Sequence, residues 1–217
     1  MKSENKPVSR RKTQKADTPT IDAVARRQFE GDFLKGFAQF LVFLQDEKIS
    51  LSWKAMKSAN GFKMNHKGEG IGSITLGTSW FGSDIETKNC VLIYVGTAEV
   101  TKDRYSEYLE GQTDEIVGLF MEQIGNKCVH CRPTCGCSNA SGKTISISNK
   151  PYENVCMNAH AYKFYASGGD MQTMAMCSPC AVYPPIAMHP VPVGTVKKLI
   201  LARKAYIEKT LAAKNKV

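Results

Sequence analysis

Seven of the eight cysteines in this 217-residue chain lie between positions 128 and 180. They run Cys128-x2-Cys131-x3-Cys135-x-Cys137, then Cys156-x3-His160, then Cys177-x2-Cys180. A two-residue gap lets a tight turn aim both thiolates at one tetrahedral ion, so two such pairs in one short region point to Zn²⁺. Four thiolates around the ion carry a net −2. The surrounding residues 126–192 hold five bases and two acids, which offsets that charge locally.

The composition of the same stretch supplies a reason for a metal. Between residues 21 and 125 there are 30 Leu, Ile, Val and Phe, whereas residues 128–180 contain five. So few large apolar side chains do not balance a chain-entropy cost of roughly 1–2 kcal/mol per residue. A cross-link must substitute. With no apolar leader behind the N-terminal bases, the expected compartment is the reducing cytoplasm, where disulfides do not persist. A structural metal is then the expected cross-link, and its binding supplies folding energy directly.

The spacing leaves the ligand set open. Cys128, Cys131, Cys137 and Cys156 form one set, a knuckle followed by a thiolate at each end of a hairpin GKTISISNKPYENVC. Cys128, Cys131, Cys177 and Cys180 form a ribbon-like alternative, and Cys135 with His160 allows two sites. Cys90 stands inside the apolar run CVLIYV and reads as a buried small hydrophobe.

Other chemistries fit less well. Gly136-x5-Gly142-Lys143-Thr144 has one residue too many for a phosphate loop and no apolar strand before it. Gly68-x-Gly70-x-Gly72 lacks dinucleotide spacing and fits a turn. The His-x-Glu and Pro-Cys-x-x-Cys of a zinc deaminase are absent, and Glu153 is the only acid close to Cys156 in sequence, so a catalytic zinc is not expected. Cys128-Val-His-Cys131 has the form of a dithiol with a histidine to activate it, but Gly125-Asn126 before it and Pro133 after it do not build a strand-to-helix redox site. Met171-x2-Met174-x-Met176-Cys177 offers soft sulfur suited to Cu(I), set against the commoner use of methionine as core filler. Lys150-Pro-Tyr152 and Tyr162-Lys163-Phe164-Tyr165 interleave bases with rings, as single-stranded nucleic acid prefers, although rings around a metal centre explain them more simply. His66 and His189 read as surface or turn residues.

The elements that must position these groups follow from hydrophobic period. Residues 1–19 lack large apolar side chains and read as a disordered basic tail. Thr20 caps a helix in which Val24, Phe29, Phe33, Phe37, Phe40, Leu41 and Leu44 form one apolar face, and Gly31 and Gly36 weaken it without ending it. Extended segments follow at Gly61–His66, Gly70–Leu76 and Cys90–Val95, the first two joined by a turn at Lys67-Gly68-Glu69. Thr113 then caps a helix burying Ile116, Leu119, Phe120 and Ile124, with Gly125-Asn126 as its stop. After a proline-rich connection Thr195 caps a last helix, fraying from Ala212. The fold class expected is α+β, a small antiparallel sheet with packed helices and a cysteine-rich zinc-binding annex. Its divisions are the 1–19 tail, a 20–126 domain, a 127–193 zinc-binding region and a 194–217 amphipathic basic helix.

The net charge of +9 belongs to the ends: +5 in residues 1–15, +6 in 195–217 and −2 between them. Basic ends attract nucleic acid through counterion release, and they also keep a protein soluble. No apolar run is long enough for a membrane helix, so no membrane partner is expected.

An aromatic-rich helix Phe29–Leu44, Trp53 with FKMNHKGEG, C-x2-C, GKTISISNKPYENVC and a closing Leu/Ile–Arg/Lys helix occur in that order. Across roughly residues 29–206 this order resembles a family of small bacterial cysteine-rich proteins of uncharacterised activity. The resemblance implies Cys128, Cys131, Cys137 and Cys156 as metal ligands and brings no activity with it. Cys135, Cys177, Cys180, the methionine run and the basic N-terminus depart from that pattern. Taken together, the expectation is a non-catalytic structural-zinc protein acting as a binding or regulatory module. A nucleic-acid-binding regulator and a copper, zinc or thiol-redox handling protein are the alternatives.

Overall fold

A computed structural model describes residues 18–55, 60–77, 88–96, 108–124, 143–155, 161–177 and 187–215, so nearly all of the basic N-terminal tail lies outside the described residues. Helix α1 (Ile21–Gln28) starts at Thr20, whose hydroxyl accepts the Ala23 N–H at 3.3 Å, with Asp22 in its first turn and Arg26 and Arg27 in its last to suit the helix dipole. The apolar period continues into α2 (Gly31–Asp46), but the helix does not. Phe29 and Glu30 are extended, and Gly31 takes φ +59°, a left-handed value that glycine tolerates best. The expected single helix is therefore two. Asn89 brackets the break: its N–H donates to Gln28 O at 3.1 Å, and its side-chain oxygen accepts the Glu30 N–H at 2.9 Å. The period survives because Phe29 packs edge-on against Phe33 and Phe37, at 4.9 and 5.0 Å between ring centres.

Strand β1 (Ser50–Ala55) is not among the expected strands; its period-two signal is carried by Leu51 and Trp53 alone. β2 (Asn60–His66) and β3 (Glu69–Leu76) follow, joined by Lys67 and Gly68 at φ 50° and 85°. Two left-handed residues match the right-handed strand twist, so the turn expected there forms. Then come β4 (Cys90–Gly96), α3 (Asp114–Ile124), β5 (Lys143–Ile147), β6 (Lys150–Val155), β7 (Ala161–Ser167), β8 (Thr173–Cys177), β9 (Ala187–Val191) and α4 (Val193–Lys214).

The fold is α+β: helices on an antiparallel sheet ordered β1-β2-β3-β4-β7-β8-β9, with β5-β6 as a separate hairpin. The sheet is not small, because three of its seven strands come from the 127–193 segment. Trp53, Phe62, Ile74, Ile93 and Phe164 stand opposite one another across five strands and join the core with Phe33, Phe37, Phe40 and Leu44 of α2. Strands β7 to β9 thus share the main core. The composition of residues 128–180 misleads here because Phe164, Ala166 and Thr173 borrow apolar partners from strands and helices far away in sequence.

The last helix begins at Val193 with Pro192 as its cap residue, and it runs to Lys214. Thr195 lies inside it, its hydroxyl donating to Glu115 of α3 at 3.1 Å, so it ties two helices rather than capping one. Val196, Leu199 and Ile200 are fully buried against the sheet.

At Gly72 the backbone of β4 leaves no room for a side chain on β3. A Cβ there would stand 1.9 Å from the Tyr94 carbonyl oxygen, a contact only backbone movement relieves. Gly72→Ala is expected to cost about 1–3 kcal/mol of unfolding free energy, as overpacking does, measured by urea denaturation. Gly70→Ala, with nothing within 4 Å, is the control.

Candidate metal centre

The hairpin β5-β6 is the element that leads to the first ligand set. Ser148 and Asn149 form its turn at φ 47° and 63°, and the turn end is tied to the domain. Glu110 accepts the Ser148 N–H and hydroxyl, each at 3.1 Å, and Ile147 is buried in the core cluster. At the other end Lys143 pairs with Val155, so the chain enters and leaves the hairpin side by side. The sequence continues from there to Cys156 on one side and back towards Cys137 on the other.

Cys128, Cys131, Cys135, Cys137, Cys156, His160 and Cys180 lie outside the described residues. Cys177 is the last residue of β8, its backbone opposite Ala187. The pairs Tyr165–Met174 and Ala166–Thr173 run antiparallel, so β7 begins at the end of the sheet where β8 finishes. The connection carrying Cys156 and His160 therefore enters where the connection carrying Cys180 departs. Among the described residues no three His, Cys, Asp or Glu side chains gather in a metal-binding group.

Several weaker candidates are resolved by position. Lys143 and Thr144 belong to a strand, not to the first turn of a helix, which removes the phosphate-loop reading. Phe164 is fully buried, so it presents no face for a base to stack on. Tyr165 is half-buried with its hydroxyl 3.1 Å from Cys90 Sγ, and Cys90 is buried as expected. Lys150 lies over the Tyr152 ring at 5.4 Å. His189 falls within β9, paired with Ala175, rather than in a turn.

Four of the C-terminal bases, Lys197, Lys198, Arg203 and Lys204, make contacts within the chain. Lys198 pairs with Glu115 and Lys204 with Glu47, both at 2.7 Å, and Lys197 sits over the Phe43 ring at 5.0 Å. Arg203 is 2% exposed, donates to the Gly70 carbonyl at 3.4 Å and lies 5.5 Å from the Tyr206 ring centre. Tyr206 in turn packs edge-on against Tyr108, whose hydroxyl burial pushes well above the usual phenol range. A cavity of about 130 Å³ opens beside this group, between Glu69 and Thr210.

His66 departs most from expectation. It is 4% exposed rather than a surface residue, with Nδ1 3.3 Å from the Lys48 carbonyl and Nε2 2.9 Å from Glu208 Oε1. It pins α4 to the turn between α2 and β1, a role that depends on a partner 142 residues away and so leaves no local signal. The hydrogen bond from His66 holds the Glu208 carboxyl below its ordinary value near 4.5, against a smaller opposing effect of desolvation. A depressed carboxyl contributes stability that is complete above its unfolded pKa and is lost as pH falls through the folded one. The advantage of the native protein over Glu208→Gln is therefore expected to be greatest near neutral pH and to shrink below about pH 4.5. Urea titrations at pH 7 and pH 3 check it; a pH-independent difference contradicts it.

Comparison with known proteins gives no match among family models, curated proteins or solved structures.

Proposed function

We propose that this protein is a non-catalytic zinc-binding module in which Cys128, Cys131, Cys137 and Cys156 hold one structural Zn²⁺. The observation carrying the reading is the β5-β6 register. With Lys143 opposite Val155, the segments that lead to Cys137 and Cys156 join the hairpin at adjacent positions, which is compatible with one ion shared between them. The hairpin adds a second support. Its turn end is fastened by Glu110 and Ile147, and among the described residues its open end is held by the strand ladder, which a bound ion would reinforce. A four-thiolate site closed to solvent leaves no open position for substrate, which fits a binding or regulatory role rather than hydrolysis.

The common end of β7 and β8 favours a second arrangement in which Cys177, Cys180 and His160, with Cys135, share in the metal chemistry. Elemental analysis of the purified full chain, with thiol counting before and after chelation, separates the two. One zinc per chain, lost on Cys131→Ser and retained on Cys180→Ser, supports the first set. Two zincs, or loss on Cys180→Ser, moves the assignment to the second. A metal-free protein with eight reactive thiols overturns both.

A further inference from the structure

The two edges of the large sheet differ in kind. At one end β9 carries Pro190, which has no N–H to offer a further strand and is a common device against edge pairing. At the other end β1 runs Ser50-Leu51-Ser52-Trp53-Lys54, with no proline, no break in its register with β2 and a single charge. Among the described residues β1 pairs with β2 alone, so alternate backbone N–H and C=O groups along it face outwards. Helix α2 borders this edge with a second apolar stripe. Phe33, Phe37, Phe40 and Leu44 turn to the core, whereas Ala38, Leu41 and Val42 line an open groove of about 510 Å³ with Gln45 and, from β1, Leu51. Val42 is 56% exposed; Leu201 of α4, at 36%, is the other large hydrophobic exposed among the described residues.

The edge is complementary to itself. Directly opposed residues of an antiparallel pair share a face, so a twofold axis perpendicular to the sheet must pass through a residue of β1 to keep Leu51 and Trp53 on the core side. With the axis at Ser52, Leu51 of each copy stands opposite Trp53 of the other, an aliphatic–aromatic pair of the kind that stabilises sheets. Ser50 then stands opposite Lys54, so no lysine opposes its own copy. The same operation brings both α2 grooves to one side of the joined sheet. Their charged lining residues, Asp22 and Lys48, are of opposite sign, so two grooves meet without net repulsion.

We propose that β1 is a dimerisation edge, at which two copies of this chain pair β1 with β1, antiparallel about Ser52, and close their α2 grooves on each other. The main-chain hydrogen bonds set the register, and burial of Val42, Leu41 and Leu51 supplies the driving force. The contact is isologous, so it closes at two copies, and Pro190 keeps the far edges from extending the sheet into a filament. None of the residues involved belongs to the thiolate centre, and the dimer does not depend on that assignment.

The full chain is kept under a phosphine reductant, so that no disulfide joins two copies, and its mass is followed by sedimentation equilibrium from micromolar to near-millimolar concentration. A species of twice the 23.9 kDa chain mass is expected. Val42→Glu is expected to raise the dimer dissociation constant at least tenfold, while Leu201→Glu leaves it unchanged. In a mixture of isotopically labelled and unlabelled chains, filtered NOEs are expected to join residues 51 and 53 of one copy to those of the other. Amides of residues 50–54 should exchange more slowly as the dimer forms. A monomer at every concentration, whether its edge is covered from within the chain or taken by an added extended peptide, overturns the proposal. So does a dimer indifferent to Val42→Glu, or one without contacts between chains at residues 51–53. Should Val42→Glu fail to fold, the filtered NOEs of the wild-type protein decide.

Discussion

Chelation of the zinc-loaded protein at neutral pH is expected to expose the β5-β6 hairpin while leaving most of the seven-stranded sheet protected. Structural zinc modules gain apparent folding energy of roughly 10–16 kcal/mol from the metal, and a closed four-thiolate site here would draw on that scale. The energy does not spread evenly. β7 is paired along seven positions with β4 and contributes Phe164 and Ala166 to the main core. By contrast the hairpin is a two-stranded unit whose described core contacts come from Ile147, Ile145 and Tyr152, and two strands alone are marginal in water. Amides of residues 143–155 should therefore exchange with solvent many-fold faster after metal removal. Amides at the β3–β4 and β4–β7 ladders should change much less. Uniform exchange across the chain would mean that the metal holds the whole fold, and no change in the hairpin would remove the structural-zinc reading.

Phe37→Ala is expected to lower the unfolding free energy by about 3–5 kcal/mol, a large fraction of a marginal total. Phe37 is fully buried on α2, packs edge-on against Phe29 and lies 6.3 Å from the Phe40 ring. Its removal leaves a cavity in the core cluster that α1, α2 and the sheet share. Phe37→Leu, which keeps most of the volume, should cost clearly less. Urea unfolding curves for the two variants give the comparison; equal losses would show that the edge-on ring contact, not the cavity, sets the cost.

What could be read from residue order and what could not divide along a physical line. The α2 stripe, the β2-β3 hairpin with its Lys67-Gly68 turn, the CVLIYV strand and the Thr113 cap are local patterns, and they appear where their periods place them. The break between α1 and α2 falls at Gly31, which the sequence marks only as a weak point, and the partner that holds it, Asn89, bonds Glu30 from 59 positions away. Thr195 looks like a cap and instead reaches Glu115, and His66 looks like a turn residue and instead anchors Glu208. The poverty of apolar residues after 127 is real, but it says nothing about where strands from elsewhere will supply the missing contacts.

Residue order alone was enough for the α+β class, the density of thiols and the periods of the main elements, because each depends on neighbours within a few residues. It took the folded chain to show that β7, β8 and β9 extend the main sheet, that Arg203 is buried rather than displayed, and that Met188 stands beside Met176 in register. Strand pairing and burial join residues tens of positions apart, and that distance carries no local pattern from which to read them.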